Sequence, residues 1–330
     1  MIASAPALET KVAYLRNQCG HGDEAIETHF AWLFLVGEHA WKLRKPLARD
    51  TMDYRTLEAR RRGACDEVQL NRRLAPSVYL DAVALTIDKE AQLAIGGRGE
   101  VVDWLVCMRR LDRRLLLDSQ LQRAARDDAL RSPVTRLLAG FYRTAPAVIE
   151  DGPAYVERLR RQVAANHAAL AAAGRPQADW LRDVQLAFLD RHADLPAQRA
   201  TSGCVTEAHG DLRPEHVFLG TPAAVIDCLE FDRELRILDR AEELSFLELE
   251  CARSGDHLAG PALRRETLAQ LGDAPHARLL AFYRSHRGAT RAKLFAWRAT
   301  ERDAGDPAAW LNRADDYVND AQADAARALQ

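Results

Sequence analysis

The sequence predicts an α+β protein, with a small strand-rich lobe over residues 1–111 and a larger, mainly helical lobe over 112–330. Three observations point to it. Apolar runs of strand length crowd the first third around a single helical stretch. From residue 112 onward the pattern becomes mostly helical. One polar-to-apolar stretch, 208–228, then interrupts the helices with two short strands.

Residues 30–36 (FAWLFLV) and 39–45 (HAWKLRK) are apolar, aromatic-rich runs separated by Gly37-Glu38, which suits a tight hairpin turn. Pro46 and the stretch 49–52 leave the sheet. A helix follows over 56–75, with Glu67, Leu70 and Leu74 on one face at i, i+3 and i+7, and Pro76 ending it. Strands are expected at 78–87, 92–95 and 100–107, with Gly96, Gly97 and Gly99 marking the turn between the last two. Helices are expected at 115–126, 132–142, 154–173, 180–191, 238–253, 277–300 and 307–329, and the short strands at 217–219 and 223–226. The alanine-rich stretch 164–174 reads as helix surface.

With 48% hydrophobic and 28% charged residues in 330, the chain is too apolar to be disordered. A formal net charge of −2 argues against a protein that coats nucleic acid. Only five of the 46 basic residues are lysines (Lys11, Lys42, Lys45, Lys89 and Lys293), so each asks for a reason. The six cysteines are scattered without zinc-ligand or disulfide-framework spacing, and reduced thiols in a cytoplasmic protein are expected. Neither a signal peptide nor a membrane span is read. No P-loop and no GxGxxG occurs.

The strongest signal is the polar stretch HGDLRPEHVFLG (209–220), followed by AVIDCLEF (224–231). Asp211 precedes the short strand pair, His216 lies five residues on, and Asp227 closes the hairpin sixteen residues after the first acid. Two acids and a donor ligand at the end of one hairpin can hold a divalent cation and orient a nucleophilic hydroxyl. Phosphoryl transfer asks for little more than that geometry plus positive charge on the phosphates. With His209 added, the same residues would also suit a metal-dependent hydrolase, though that reading leaves Lys42 and Glu67 without a role.

This stretch resembles the catalytic loop of the protein-kinase-like superfamily, HRDLKPEN followed by a metal-binding Asp. Gly210 in second place resembles the aminoglycoside/choline phosphotransferase branch, with its HGDxxxxN, and above all a bacterial clade of "predicted aminoglycoside phosphotransferase" proteins. Upstream, AWKLRKP (40–46) resembles the strand-borne ATP lysine and points to Lys42, with Glu67 as its ion-pair partner. Downstream, LDRAEELSFL (238–247) resembles the D-P-x-x-D-L-A segment, with Asp239 and Glu243 at the acidic positions. The resemblance covers roughly residues 28–300.

It implies a two-lobed protein-kinase-like fold and ATP-dependent transfer of the γ-phosphate to a hydroxyl of a small molecule, with Mg²⁺ or Mn²⁺. Asp211 would orient the acceptor hydroxyl and accept its proton, and Arg213 would touch the γ-phosphate. Lys42 would neutralise the α- and β-phosphates while Glu67 holds it. Asp227 would bind the metal. Residues 108–111, Met108 and Arg109 among them, would form an adenine-binding hinge through backbone groups. His216 stands where the branch carries a metal-binding Asn, and Glu230 would be an additional metal or substrate ligand. No Gly follows Asp227 closely, and no glycine-rich loop precedes Phe30; that missing loop, with His216 in place of Asn, keeps open a nucleotide-binding pseudokinase with a regulatory role.

Only twelve positions separate Asp227 from Asp239, too few for a protein-docking platform, and Gly210 replaces the Arg of HRD. A small-molecule acceptor is expected, with no nucleic-acid or membrane partner. His209, Asp239 and Glu243 read as bracing residues and Cys228 as a small buried apolar one. Arg284, Arg287 and Arg291, at i, i+3 and i+7, read either as a cationic wall for an anionic acceptor or, by preference, as partners of Glu242, Glu243, Glu248 or Glu250. The arginine runs at 60–62 and 158–161 read as solvated helix faces.

Overall fold

A computed structural model describes residues 6–20, 22–49, 52–301 and 305–330. By internal contacts the chain divides into two units. One runs to Gln120 and takes in Glu215–Leu235; the other holds Leu121–Pro214 and Arg236–Gln330.

The first unit begins with α1 (Leu8–Asn17), β1 (Glu24–Glu27), β2 (Ala31–Val36) and β3 (His39–Arg44). β2 and β3 form the expected hairpin, and Gly37 at its turn has φ +56°, which glycine adopts without strain. β4 (Ala48–Arg49) and β5 (Met52–Asp53) make a small ladder apart from the main sheet; Asp50 and Thr51 lie outside the described residues. Then come α2 (Leu57–Asn71), β6 (Tyr79–Ile87), β7 (Leu93–Ile95) and β8 (Glu100–Arg109). The six-stranded antiparallel sheet runs β1-β2-β3-β8-β6-β7. One face packs Phe34, Leu43, Leu85 and Leu105 with Val12 and Leu15 of α1. The other packs Ala40, Val106 and Met108 with Ala64 and Val68 of α2.

α2 starts where Thr56 caps the Ala59 N–H, and it ends at Asn71, earlier than the expected residue 75. Its buried face is Arg60, Gly63, Ala64, Glu67, Val68 and Asn71, while Leu70 is only partly covered. Arg60 therefore departs from the solvated face read for 60–62. Its Nε donates to Asp103 at 2.7 Å, and Lys11 of α1 reaches the other oxygen of Asp103 at 2.7 Å. A single buried carboxylate in the sheet thus ties down two helices.

The chain passes from the first unit to the second within α3 (Leu117–Ala124), and α4 (Asp128–Thr144), α5 (Gly152–Ala172), α6 (Gln177–Arg191) and α7 (Asp194–Thr201) follow. β9 (Val205–Glu207) opens the polar stretch, β10 (Val217–Phe218) and β11 (Ala224–Val225) form a hairpin within it, and β12 (Ile237–Asp239) closes it. β9 pairs with β12, and the Ala208 N–H continues that ladder to the Arg236 carbonyl at 2.8 Å. The helices resume with α8 (Arg240–Arg253), α9 (Ala259–Gln270), α10 (Ala277–Ala299) and α11 (Pro307–Leu329). α10 and α11 approach closely because small residues face each other: a Cβ on Gly288 would sit 3.1 Å from that of Ala321. Ala289, Ala292 and Ala296 join Phe246, Tyr317 and Val318 in the core beside them.

The β10–β11 hairpin groups with the sheet, although the sequence places it inside the helical lobe. The Val225 N–H donates to the Leu74 carbonyl and the Leu219 N–H to that of Leu115, while Ala224 and Ile226 pack in the Ala64–Val68–Tyr79 cluster. Asp103→Ala is expected to destabilise the protein by about 3–5 kcal/mol in urea unfolding, since it strands two buried cations. Lys11→Met, which leaves the Arg60 pair intact, should cost clearly less; equal losses would mean that Asp103 does not join the two helices.

Candidate functional site

Side chains alternate along β3, so Ala40, Lys42 and Arg44 share the face that packs on α2. The Lys42 ammonium donates to Glu67 Oε1 and to Asp227 Oδ1, at 2.9 Å each. Glu67 is almost wholly buried, whereas the Lys42 side chain is about one-fifth exposed and that of Asp227 about half. Burial works against the charge of Lys42, but Asp227, Glu67 and Glu230 outweigh it and hold the pKa well above the usual lysine range.

The other oxygen of Glu67 is taken by Arg44. The same guanidinium nitrogen donates to Glu230 Oε1 at 2.7 Å, and the Tyr54 hydroxyl reaches that oxygen at 3.1 Å. The Arg44 guanidinium lies over the Tyr54 ring, 5.2 Å from its centroid. Burial alone would raise the Glu230 pKa; Arg44 and then Lys42 pull it below the usual range. The sequence reading passed over Arg44, although two cations at i and i+2 on a strand facing an acid-bearing helix were a readable signal.

Asp227 sits at φ +61°, a left-handed conformation that costs a non-glycine residue about 1–3 kcal/mol and persists only when its surroundings impose it. The surroundings do so through successive peptide N–H groups. Ile226 donates to the His216 carbonyl at 2.9 Å, Asp227 to the Tyr79 hydroxyl at 3.0 Å, and Cys228 to Asn71 Oδ1 at 2.9 Å. The buried His216 imidazole is 3.6 Å from Asp227 Oδ2. A cation at Asp227 would therefore meet a carboxylate and an imidazole, while Glu230 turns to Arg44 and Tyr54. Among the described residues, no three or more His, Cys, Asp or Glu side chains are grouped to hold a metal ion.

Met108 and Arg109 end β8, with β3 on one side and β6 on the other. The Arg109 N–H goes to the Val78 carbonyl and that of Arg110 to the Glu38 carbonyl, both at 2.8 Å, and the Met108 side chain lies in the core. These two N–H groups are committed to the sheet, so a base read through the backbone here would need other groups of the 108–111 segment.

In the second unit the loop before Asp211 is held through its backbone. The N–H groups of His209 and Gly210 donate to the two oxygens of Glu243, at 3.1 and 2.5 Å, and the Tyr142 hydroxyl adds a 2.6 Å bond to the same carboxylate. The Gly210 carbonyl accepts from Arg287 at 2.9 Å, and φ +91° at this residue suits glycine. The Asp211 N–H donates to His209 Nδ1 at 3.3 Å, and Arg213 Nε donates to Asp211 Oδ2 at 3.0 Å. Burial raises the Glu243 pKa against the pull of Tyr142 and the two N–H groups. Asp239 caps α8 through the Ala241 N–H and accepts both Arg199 and the Tyr283 hydroxyl.

The three arginines of α10 divide. Arg284 pairs with Glu248 at 2.7 Å and Asp324 at 3.0 Å, and Arg291 lies 3.9 Å from Glu250. Arg287, between them, supports the Gly210 carbonyl and stacks on Phe246. Two of them follow the ion-pair reading and the third braces the loop.

No family model matches the chain. Proteins of Mycobacterium bovis and Mycobacterium tuberculosis, described only as uncharacterised, are 31% identical over 280 residues, which cover 81% of this chain and 53% of theirs. The chain thus spans about half the length of these curated relatives. In fold it is similar to the GDP and kanamycin complex of APH(2″)-IIia (TM-score 0.57, 16% identity, 95% of this chain and 98% of that one). It is also similar to the choline kinase LicA of Streptococcus pneumoniae (TM-score 0.55, 12% identity, 96% and 98%). Among the described residues no helix is long and apolar enough to cross a membrane. The antiparallel sheet with its packed helix, followed by the helical unit, is the protein-kinase-like fold that aminoglycoside phosphotransferases and choline kinases share.

Proposed function

We propose that the chain is an ATP-dependent phosphotransferase acting on a hydroxyl group of a small molecule. The observation that carries this reading is Lys42, whose ammonium is shared at 2.9 Å between Glu67 of α2 and the strained Asp227. A lone strand lysine is usually a surface residue. One gripped by a buried glutamate, beside an aspartate in a forced conformation, is a cation set in place to meet an anion.

ATP with a divalent ion supplies the γ-phosphoryl group and offsets the charge that builds up during its transfer. Lys42 would pair with the α- and β-phosphates while Glu67 fixes its direction. Asp227 would hold the cation with His216 beside it; the imidazole favours Mn²⁺ or a softer ion more than an asparagine oxygen would. Asp211 would orient the acceptor hydroxyl and take its proton late in the transfer, its carboxylate steadied by Arg213 and its backbone by the bracing of His209 and Gly210. Arg213 would also touch the γ-phosphate. The segment after Asp227 reaches β12 within ten residues, which supports a small acceptor over a protein one.

Lys45, three residues from Lys42, points elsewhere and pairs with the exposed Glu27 at 2.6 Å. Lys42→Ala is expected to lower ATP-dependent phosphotransfer about 10²–10³-fold in kcat/KM, and Lys45→Ala by no more than about threefold. The reverse order would sink the assignment of Lys42. Asp211→Asn should keep the ATP- and metal-induced rise in melting temperature and lose transfer by about 10²–10⁴-fold. An ATP-consumption screen over small hydroxyl compounds, run with Mg²⁺ and with Mn²⁺, supplies the assay. A wild-type protein that ATP stabilises but that transfers nothing would be the pseudokinase. One that neither ATP nor divalent ions stabilise would overturn the proposal.

A further inference from the structure

We propose that Arg44 and Glu230 form a latch that keeps α2 and the segment after Asp227 joined when Lys42 is drawn onto a ligand. Both are then positioning residues for Lys42. The inference deepens the phosphotransferase reading and rests on it for its ligand, but the latch itself is a property of the protein alone.

The geometry contains two straps between the same two pieces of chain. Lys42 joins Glu67 to Asp227, and Arg44 joins Glu67 to Glu230, three residues further on. The straps use different oxygens of Glu67, so neither displaces the other. They differ in exposure. The Lys42 side chain is about one-fifth open and bonds a half-exposed aspartate, whereas that of Arg44 is 3% exposed and stacked on Tyr54. An anion that binds Lys42 competes with Asp227 for the ammonium and weakens the first strap. The second lies deeper, with one guanidinium nitrogen of Arg44 bonded to both Glu67 and the largely buried Glu230. The Cys228 N–H on Asn71 Oδ1 also ties the segment to α2, but at residue 228; without Arg44 the stretch around Glu230 would lose its charged anchor, and ligand binding would carry part of the cost of loosening it. The Tyr54 hydroxyl on Glu230 completes the latch. Glu230 is on this view a fastening and not a metal ligand.

The test uses the full chain with Glu230→Gln, which keeps the shape and removes the charge. Tyr54→Phe, which removes a single hydroxyl, is the milder variant should the first fold poorly. Amide hydrogen exchange is read without ligand, and ATP with Mn²⁺ is titrated by calorimetry. The expected result is faster exchange at 226–230 by roughly tenfold, with α11 unchanged, and ATP binding weakened by roughly tenfold, about the size of one charge-assisted hydrogen bond. The Mn²⁺ concentration needed at saturating ATP should stay within about twofold of wild type, and at saturation kcat should fall far less than KM rises. Unchanged exchange at 226–230 overturns the latch, as does equal acceleration in α11, which would mark general destabilisation. A raised Mn²⁺ requirement with unchanged exchange would make Glu230 a metal ligand instead. If ATP fails to bind the wild type, the phosphotransferase reading falls, while the exchange measurement still decides the latch.

Discussion

A single carboxylate organises the ion network around Lys42. Glu67 is buried on α2, and two cations of one strand take its two oxygens separately. An isolated carboxylate at that depth would be heavily penalised, and it is tolerable only because both oxygens are met by charge. The dependence runs both ways. Lys42 and Arg44 face the same side of β3 because strand side chains alternate, so the register of β3 against β2 and β8 decides whether Glu67 is satisfied or stranded. A one-residue slip would turn Leu43 onto α2 and both cations into the α1 side of the sheet. The ion network and the hydrophobic pattern therefore specify the same register.

Irregular backbone elsewhere obeys a related constraint. Loops that cannot pair in a ladder must satisfy their N–H groups by other means. At 209–210 Glu243 accepts two of them and Arg287 supports the Gly210 carbonyl that follows. At 226–228 a carbonyl, a tyrosine hydroxyl and an asparagine oxygen take three in succession. In each case the residues beside a proposed functional aspartate are immobilised by side chains borrowed from helices and strands distant in sequence. That is how a loop reaches the precision that positioning asks for, and in the second instance it is what makes φ +61° at Asp227 sustainable.

Much of this was legible in the sequence, and what was not has a common cause. The hairpin, the helix carrying Glu67 and nearly all of the long helices follow from periodicity and punctuation, and HGD with its second aspartate stood out as chemistry. The face of α2 was misplaced because its buried residues are unusual ones. Arg60, Glu67 and Asn71 are polar, while the apolar Leu70 is partly exposed, so a rule that sorts by hydrophobicity chose the wrong edge of the helix. α1 went unread because Lys11, its deepest cation, carries the polarity of a surface residue and is buried only through Asp103. Arg44 was passed over although its i, i+2 spacing from Lys42 along the strand could have been read. Buried charge is invisible to composition until its partner is known, and here the partners lie 23 to 186 positions away.

The rarity of lysine can now be weighed position by position. Lys11 is structural, Lys45 pairs at the edge, Lys89 is exposed, and Lys293 lies over Trp297. Scarcity alone therefore singled out nothing. The contrast between 42 and 44 does. Position 44 holds a cation that joins the buried Glu67 to the partly buried Glu230, and a planar guanidinium over an aromatic ring suits that role. On the phosphotransferase reading proposed above, position 42 would need one that serves two carboxylates yet keeps something back. An ammonium has three donors, and the protein takes two of them at Glu67 and Asp227. The third would then be left for an incoming anion. An arginine at 42 would present its donors in a fixed planar fork and could not redirect them singly. On the proposed reading, the alternation of Lys and Arg along one strand face would separate a cation that stays in place from one that changes partners.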